Sequence, residues 1–306
     1  MILVGSTGFV GSNLMKSTSF NAVYHSTDIY KAYGSKPDIL IYAGVTGTKF
    51  LANRNPKSDS KIIDSAIENI KKINAKKIVL ISTIDVNESL DIDESTESKI
   101  SFFGTYGQNR LFLENWVEQN CHDYHIIRLP AIYGENLKKN FIHDLIFPVP
   151  PMLTKEKYKQ VIHSISEIEY MYEWQDDGMY HYINKIIGEK KLAMLFLENA
   201  FNALSFTNPN STFQYYNLGW LWSDINKIID LDIRKINLVT EPICSKILYE
   251  SIYGKKFNYE VLADQVNYNL HSKYADALGG EFGYVYSYEK VIDDLLGFIN
   301  TELSKM

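Results

Sequence analysis

The chain has 306 residues, enough for one large or two modest domains, and carries a net charge of −6 from 37 acidic and 31 basic residues. No basic stripe runs along it to follow a phosphate backbone, so nucleic acid is excluded as a partner, and no apolar run approaches the length that crosses a bilayer. The first apolar segment begins at residue 2 and leaves no room for a leader, and Cys121 and Cys244 stand far apart without metal-site spacing. A cytoplasmic protein with reduced thiols, no bound metal and no membrane partner is expected.

Met1-Ile2-Leu3-Val4 predicts a short buried strand, and Gly5-Ser6-Thr7-Gly8-Phe9-Val10-Gly11 follows without a gap. A helix pattern then begins through Val10, Leu14 and Met15. Strand, three glycines spaced three apart and helix is a recipe for holding a pyrophosphate. Gly5 permits the tight turn, Gly8 lets the backbone approach the phosphates, and Gly11 lets the helix pack on the strand. The free N–H groups at the helix N-terminus do the binding. Gly5, Thr7, Gly8, Phe9, Val10 and Gly11 are therefore assigned to a dinucleotide. A glycine-rich turn without a ligand is the blander alternative.

Asn21 to Tyr24 reads as a second strand, ending in His25-Ser26-Thr27 where a carboxylate usually holds the ribose of NAD. Asp28 arrives late, and hydroxyls with a histidine tolerate a 2′-phosphate better than a carboxylate does. The reading leans to NADP over NAD, with His25, Ser26 and Thr27 at the adenosine end. Only Ile29 to Pro37 separates this strand from the next, Asp38 to Gly44. A crossover needs a dozen residues or more, so the usual third strand of such a sheet is expected to be missing. Ala43, Gly44 and Val45 would let the cofactor pass over the strand end.

Residues 57–74 read as a helix with Ile62, Ile63, Ala66, Ile67 and Ile70 on one face, followed by a strand from Lys77 to Thr83. A polar loop from Asn87 to Ser98 leads to a helix from about Thr105 to Gln119, then a strand from His125 to Leu129 ending at Pro130. This alternation predicts an α/β protein with a Rossmann-like, doubly wound parallel sheet. The sheet domain is expected over 1–140, with 207–240 returning to it, and a smaller, mostly helical substrate lobe over 141–306. Within that lobe, 154–202 reads as helices, 217–231 as an amphipathic helix, and Lys235 to Val239 as a strand returning to the sheet. Thr240-Glu241-Pro242-Ile243 is expected to cap the helix that follows. The 22 tyrosines gather in the C-terminal half, where they would suit a hydroxyl-rich ligand, although packing is the expected role for most. His143, His163, His181 and His271 have no metal spacing.

Chemistry would sit where the strands end. Tyr106 and Arg110 are four apart and share a helix face, and Thr83 ends the preceding strand. A cation beside a tyrosine favours its phenolate, and such a tyrosine can move a proton while a hydride moves at the nicotinamide. Thr83 would hold the same substrate oxygen. The competing reading pairs Arg110 with Glu114 and leaves Tyr106 to packing.

These motifs come in the order Gly5-x-x-Gly8-x-x-Gly11, Ala43-Gly44, Ser82-Thr83, Tyr106-x-x-x-Arg110 and Arg128-Leu129-Pro130-Ala131-Ile132-Tyr133-Gly134. In that order they resemble the extended short-chain dehydrogenases/reductases, which include nucleotide-sugar epimerases, dehydratases and reductases. The resemblance covers residues 1–134 and thins afterwards. It implies a catalytic Thr83 and Tyr106, an Arg110 that touches the nicotinamide ribose, Ser82 near the cofactor, and Leu129, Pro130 and Ala131 beside the nicotinamide. It further implies a small-molecule sugar or nucleotide-sugar substrate, a role in surface polysaccharide biosynthesis, and a homodimer as the candidate assembly.

Three departures bear on function. Arg110 stands where the family usually has lysine; it keeps the charge but differs in bulk. The missing strand resembles the smaller deoxysugar-nucleotide reductases. Ser211 to Leu218 lacks the arginine that many members use for the diphosphate, which leaves Arg234, Lys246 or a tyrosine cluster for that task, or a substrate without one. Dehydratases of the family read Thr-Asp-Glu where this chain reads Thr83-Ile84-Asp85, so dehydration is disfavoured; Asp85 is expected to be a solvent-facing loop acid, with service as a base or in positioning a substrate as the alternative. The reading is an NAD(P)-dependent reductase of a sugar keto group. The alternatives are an epimerase with tightly bound NAD and a non-catalytic dinucleotide-binding sensor.

Overall fold

Six parallel strands form the central sheet, in the order Lys235–Asn237, β5 (Tyr124–Leu129), β4 (Lys77–Thr83), β3 (Ile39–Tyr42), β1 (Ile2–Val4) and β2 (Ala22–Tyr24). The structure is a computed structural model and describes residues 1–98, 104–183 and 188–306. After β2, the nine residues from Ile29 to Pro37 hold only a 3-10 turn at Ile29–Ala32. The chain then crosses back to the far side of β1, so β2 is the edge and no third strand follows it.

Side chains alternate across these strands, and both faces are buried. Ile2, Val4, Leu40, Tyr42, Ile78 and Leu80 pack on α3 (Pro56–Ile73) through Ile63, Ala66, Ile67 and Ile70, and on α4 (Gly104–Asn120) through Leu113 and Val117. Leu3, Ile41, Val79, Ile127 and Ile236 pack on the other face against Leu14 of α1 (Phe9–Ser17) and against Leu221, Ile225 and Ile228. The last three lie in the helix Leu221–Asp230, which is shorter than the expected 217–231 because Leu218–Trp220 is a 3-10 turn.

The chain divides into two units. The first comprises Met1–Asn136, Phe213–Pro242 and Tyr268–Val291, and the second Leu137–Thr212, Ile243–Asn267 and Ile292–Met306. Residues 268–291, expected in the lobe, thus belong with the sheet. Asn269 donates its backbone N–H to Leu90 O (2.8 Å) and His271 to Ile92 O (3.0 Å), so the segment pairs with the loop after β4. Glu94 of that loop accepts from Asn237 N (2.5 Å), Ser272 Oγ (2.9 Å) and Lys273 N (2.9 Å).

The second unit mixes helices with a three-stranded antiparallel sheet of Met152–Leu153, Tyr180–Tyr182 and Tyr172–Trp174. That sheet corrects the all-helical reading of 154–202, of which 184–187 lie outside the described residues. Its tyrosines pack on each other. Tyr158 stacks on Tyr180 at 3.8 Å, and the Tyr172 hydroxyl donates to Pro150 O at 2.7 Å. The helix Ser245–Tyr253 starts after Cys244 with no side-chain cap, so the 240–243 cap is also corrected; Glu241 instead accepts from Tyr288 N at 2.8 Å. No helix among the described residues is long and apolar enough to cross a membrane.

Candidate active site

The turn between β1 and α1 lies at the C-terminal edge of the sheet. Gly5 has φ +95°, which disfavours any side chain, and a Cβ there would run into the Ala43 carbonyl. A Cβ on Gly11 would collide with the Gly5 carbonyl, so α1 reaches the strand only because residue 11 has none. Gly8 precedes the first turn of α1, where no side chain caps the helix and no acid neutralises its N-terminus. A cradle with exposed N–H groups and room that a Cβ would fill suits a pyrophosphate.

At the end of β2, His25 N donates to Asp28 Oδ1 (2.8 Å), and Thr27 Oγ1 bonds the His25 ring at Nδ1 (3.0 Å). Asp28 therefore holds its own turn. Ala43 packs on one core face and Val45 on the other, while Gly44 stands between them at the end of β3.

Thr83 closes β4 directly beside Leu129 of β5, with Pro130 and Ala131 next along the chain. Tyr106, 8% exposed, lies in the first turn of α4, whose Tyr106 N–H is held by Asn53 Oδ1 at 2.9 Å. The Thr83 hydroxyl lies near the Tyr106 hydroxyl and favours its ionised form. Burial opposes this more strongly, the negative charge of Asp85 adds to burial, and the phenol is pushed up to about 12. Tyr106 is thus a protonated hydroxyl at neutral pH, and the expected lowering by Arg110 is present without setting the net shift. Arg110 acts in that direction and is outweighed.

Arg110 itself differs from expectation. Its guanidinium pairs with the buried Asp59 of α3, donates to Thr46 O at 2.6 Å and Tyr106 O at 3.3 Å, and lies over the Tyr106 ring at 4.2 Å. It does not pair with Glu114. Glu114 instead takes Arg128 through three contacts of 2.7–3.2 Å and Ser82 Oγ at 2.5 Å. The Ser82 hydroxyl is therefore committed to this buried pair. Arg234 is bound to Asp123 (2.8 Å) and Asp232 (3.1 Å) beside Tyr124, the first residue of β5. That is the opposite end of the sheet from Thr83, roughly 16 Å along β4 at ~3.3 Å per residue. Arg234 is removed as a diphosphate ligand, and Lys246 lies in the second unit.

No protein-family model matches the sequence. No curated protein matches it. Solved structures do, over nearly the whole chain. A dTDP-4-dehydrorhamnose reductase from Clostridium acetobutylicum is 14% identical with a TM-score of 0.61, covering 98% of this chain and 99% of that one. The dTDP-4-dehydrorhamnose reductase from Bacillus anthracis, in complex with NADP, gives 15%, 0.62, 98% and 97%. A UDP-glucose 4-epimerase from Thermotoga maritima, with UDP-glucose, gives 14%, 0.60, 99% and 99%. The fold is that of the short-chain dehydrogenases/reductases.

On this fold the structure brings Thr83, Tyr106 and Arg110 together beneath the C-terminal ends of β3 and β4. It adds four residues that sequence reasoning missed or misjudged. Asp85 is not a solvent-facing acid: its side chain is 13% exposed, 3.1 Å from Lys49 Nζ, and accepts from the Tyr268 hydroxyl at 2.9 Å. Lys49 and Tyr268 gave no signal of their own, being 36 residues before and 183 residues after Asp85. Asp59 did give one. It falls on the same helical face as Ile63, Ala66 and Ile70, and an acid on an apolar stripe demands a buried cation.

Proposed function

We propose that the protein is an NAD(P)H-dependent reductase that converts a keto group on a nucleotide-linked sugar to an alcohol. The observation that carries this reading is the buried Tyr106 beside Thr83 at the same sheet edge as the Gly5–Gly11 cradle. The solved structures that share the fold, two of them dTDP-4-dehydrorhamnose reductases, support the substrate class.

The residues present fit a dinucleotide: Gly5, Gly8, Gly11 and the uncapped start of α1 would hold its pyrophosphate, and Leu129 to Ala131 would flank the nicotinamide. When bound, the reduced nicotinamide supplies the hydride. The chain supplies the rest. Thr83 and Tyr106 fix the substrate carbonyl oxygen, and Tyr106 gives it a proton as negative charge develops there. A phenol that stays protonated suits this direction.

For the cofactor, NADP is the proposed preference over NAD. Asp28 is occupied by the His25 N–H, which leaves His25, Ser26 and Thr27 facing the adenosine end. The decisive experiment follows reduced-cofactor absorbance in the presence of a panel of nucleotide-linked keto sugars. Consumption that depends on one of them supports the reading. Tight cofactor binding with no turnover across the panel would favour the sensor instead.

A further inference from the structure

Asp85 leaves the end of β4 two residues after Thr83, and contacts to three other residues help fix it. Its backbone N–H donates to Thr83 Oγ1 at 3.2 Å, its Oδ1 accepts from the Tyr268 hydroxyl at 2.9 Å, and its Oδ2 lies 3.1 Å from Lys49 Nζ. Lys49 also reaches the Tyr268 hydroxyl at 3.4 Å, which closes a triangle. Each corner comes from a different element: the first residue of the helix Lys49–Arg54, the turn after β4, and the returning segment that begins at Tyr268. That segment is itself tied down. Asn269 N bonds Leu90 O at 2.8 Å, and Leu270 N bonds the buried Gln214 side chain at 3.0 Å.

The triangle stands against the reacting hydroxyls. Tyr106 and Tyr268 lie within each other's electrostatic reach, as do Tyr106 and Asp85. Gly47, two residues before Lys49, passes the Tyr106 hydroxyl so closely that a Cβ there would be 3.8 Å from it. The contact from Asp85 N–H also has a direction. It uses the Thr83 oxygen as an acceptor and so fixes the hydroxyl that stands nearest the Tyr106 hydroxyl at the end of β4.

We propose that Lys49, Asp85 and Tyr268 are positioning residues that hold the Thr83–Tyr106 pair in its proton-donating arrangement. Arg110 fills a different role, because its guanidinium is held by Asp59, Thr46 and the Tyr106 carbonyl. Among the described residues, the groups facing the Tyr106 ring and hydroxyl are Thr83, Asp85, Arg110 and Asp59, with Tyr268 beside Asp85 and Lys49 compensating the Asp85 charge. Lys49 is the exchangeable member. Its side chain is 37% exposed, so a change there spares the core.

The inference rests on the reductase reading, and its test separates the two. Lys49→Met and Asp85→Asn are made beside Lys49→Arg, which keeps the ion pair. With a keto-sugar that the parent reduces, kcat should fall by roughly 10²-fold in the first two while cofactor affinity holds, because a misplaced donor costs about that much. Lys49→Arg should restore most of the loss. Parental kcat in Lys49→Met and Asp85→Asn would overturn the proposal while leaving the reductase standing.

A second readout needs no turnover. In protein labelled with carbon-13 at the tyrosine Cζ, the Tyr106 signal, identified by its loss in Tyr106→Phe, reports the hydrogen bonding of its hydroxyl at neutral pH. It should move in Lys49→Met and in Asp85→Asn and return in Lys49→Arg. A signal that stays at the parental position in all three variants would overturn the proposal even if no substrate were found.

Discussion

The Arg110 guanidinium lies 4.2 Å from the centre of the Tyr106 ring, one helical turn away, and spends its hydrogen bonds on Asp59, Thr46 and the Tyr106 carbonyl. The cation thus stacks on the tyrosine and ties α4 to α3 and to the loop after β3. It is a fastening for the site as well as a charge within it. A lysine would keep the charge, but it has no planar fork to serve an acid and two carbonyls at once.

The first prediction separates these roles. Tyr106→Phe removes only a hydroxyl, so it should fold and bind cofactor as the parent does and lose about 10²–10⁴-fold in turnover. Arg110→Met leaves Asp59 buried beside Asn109 alone, and breaking such a pair costs about 3–5 kcal/mol. It should lose stability together with activity. Arg110→Lys should retain part of both. Urea unfolding and keto-sugar reduction, measured on all three proteins, check the pattern. A catalytically normal Tyr106→Phe would contradict the assignment of Tyr106 as the acid.

The second prediction concerns pH. Tyr106 donates a proton in the proposed reaction, so the active form is the protonated phenol. Burial and Asp85 push its pKa up to about 12 from an ordinary value of 10.0, which keeps that form present through pH 10. Reduction should therefore show no loss attributable to this tyrosine between neutral pH and pH 10, and the alkaline limb should appear only toward 12. In Asp85→Asn one of the causes of the rise is gone, and the limb should move down. The same shift bears on stability. The folded state holds the proton more tightly than the unfolded chain, so its contribution is complete below 10 and is lost as pH rises through 12. Rate profiles of parent and Asp85→Asn decide the matter; superimposable alkaline limbs would remove Asp85 from the field at Tyr106.

Much of this arrangement was legible in the chain, and the parts that were not share a physical cause. Strands such as Ile39–Tyr42 and Lys77–Thr83 are buried on both faces and announce themselves as apolar runs. Gly5 and Gly11 mark positions where a side chain cannot fit, and Thr83 and Tyr106 are placed by the ends of regular elements. The short strands Met152–Leu153, Tyr172–Trp174 and Tyr180–Tyr182 were missed because two or three residues display no alternation. Partners were harder than positions. Local spacing offered Glu114 to Arg110, yet Arg110 took Asp59 from 51 residues away, and Glu114 took Arg128 across the helix–sheet interface. Ion pairing follows the tertiary path of the chain, which spacing within one helix does not contain.

The third prediction addresses the cradle. Gly8 has ordinary extended φ, and a Cβ there would sit 3.2 Å from the Gly5 carbonyl, a contact that a small adjustment relieves. Gly8→Asp should therefore fold. Its carboxylate would meet the uncapped N–H groups of α1 and repel a pyrophosphate. Binding of NADPH and NADH by calorimetry should collapse in this variant, and in the parent NADPH should bind the more tightly because Asp28 is held by His25 N. Unchanged affinity in Gly8→Asp would remove the dinucleotide site, and a parental preference for NADH would place Asp28 on the ribose.

The last prediction concerns the support behind Thr83. The Glu114 and Arg128 side chains are 1% and 2% exposed, and besides their own contacts Glu114 accepts from Ser82 Oγ and Arg128 donates to Asn87 Oδ1. Arg128 Nη1 donates to Asn87 Oδ1 at 3.1 Å, and Asn87 Nδ2 donates to Ile84 O at 2.9 Å. The pair thus reaches both sides of Thr83: Ser82 before it, and the turn of Ile84 to Asn87 after it. Removing one partner leaves the other charge buried. Glu114→Gln should cost about 3–5 kcal/mol, seen as a lower urea midpoint at unchanged slope. Replacing both, as Glu114→Leu with Arg128→Met, removes the uncompensated charge and should recover much of that stability. It should not recover turnover, because Ser82 and Asn87 then lose the partners that fix the end of β4. A double variant with full keto-sugar reduction would show that Thr83 is positioned without this pair.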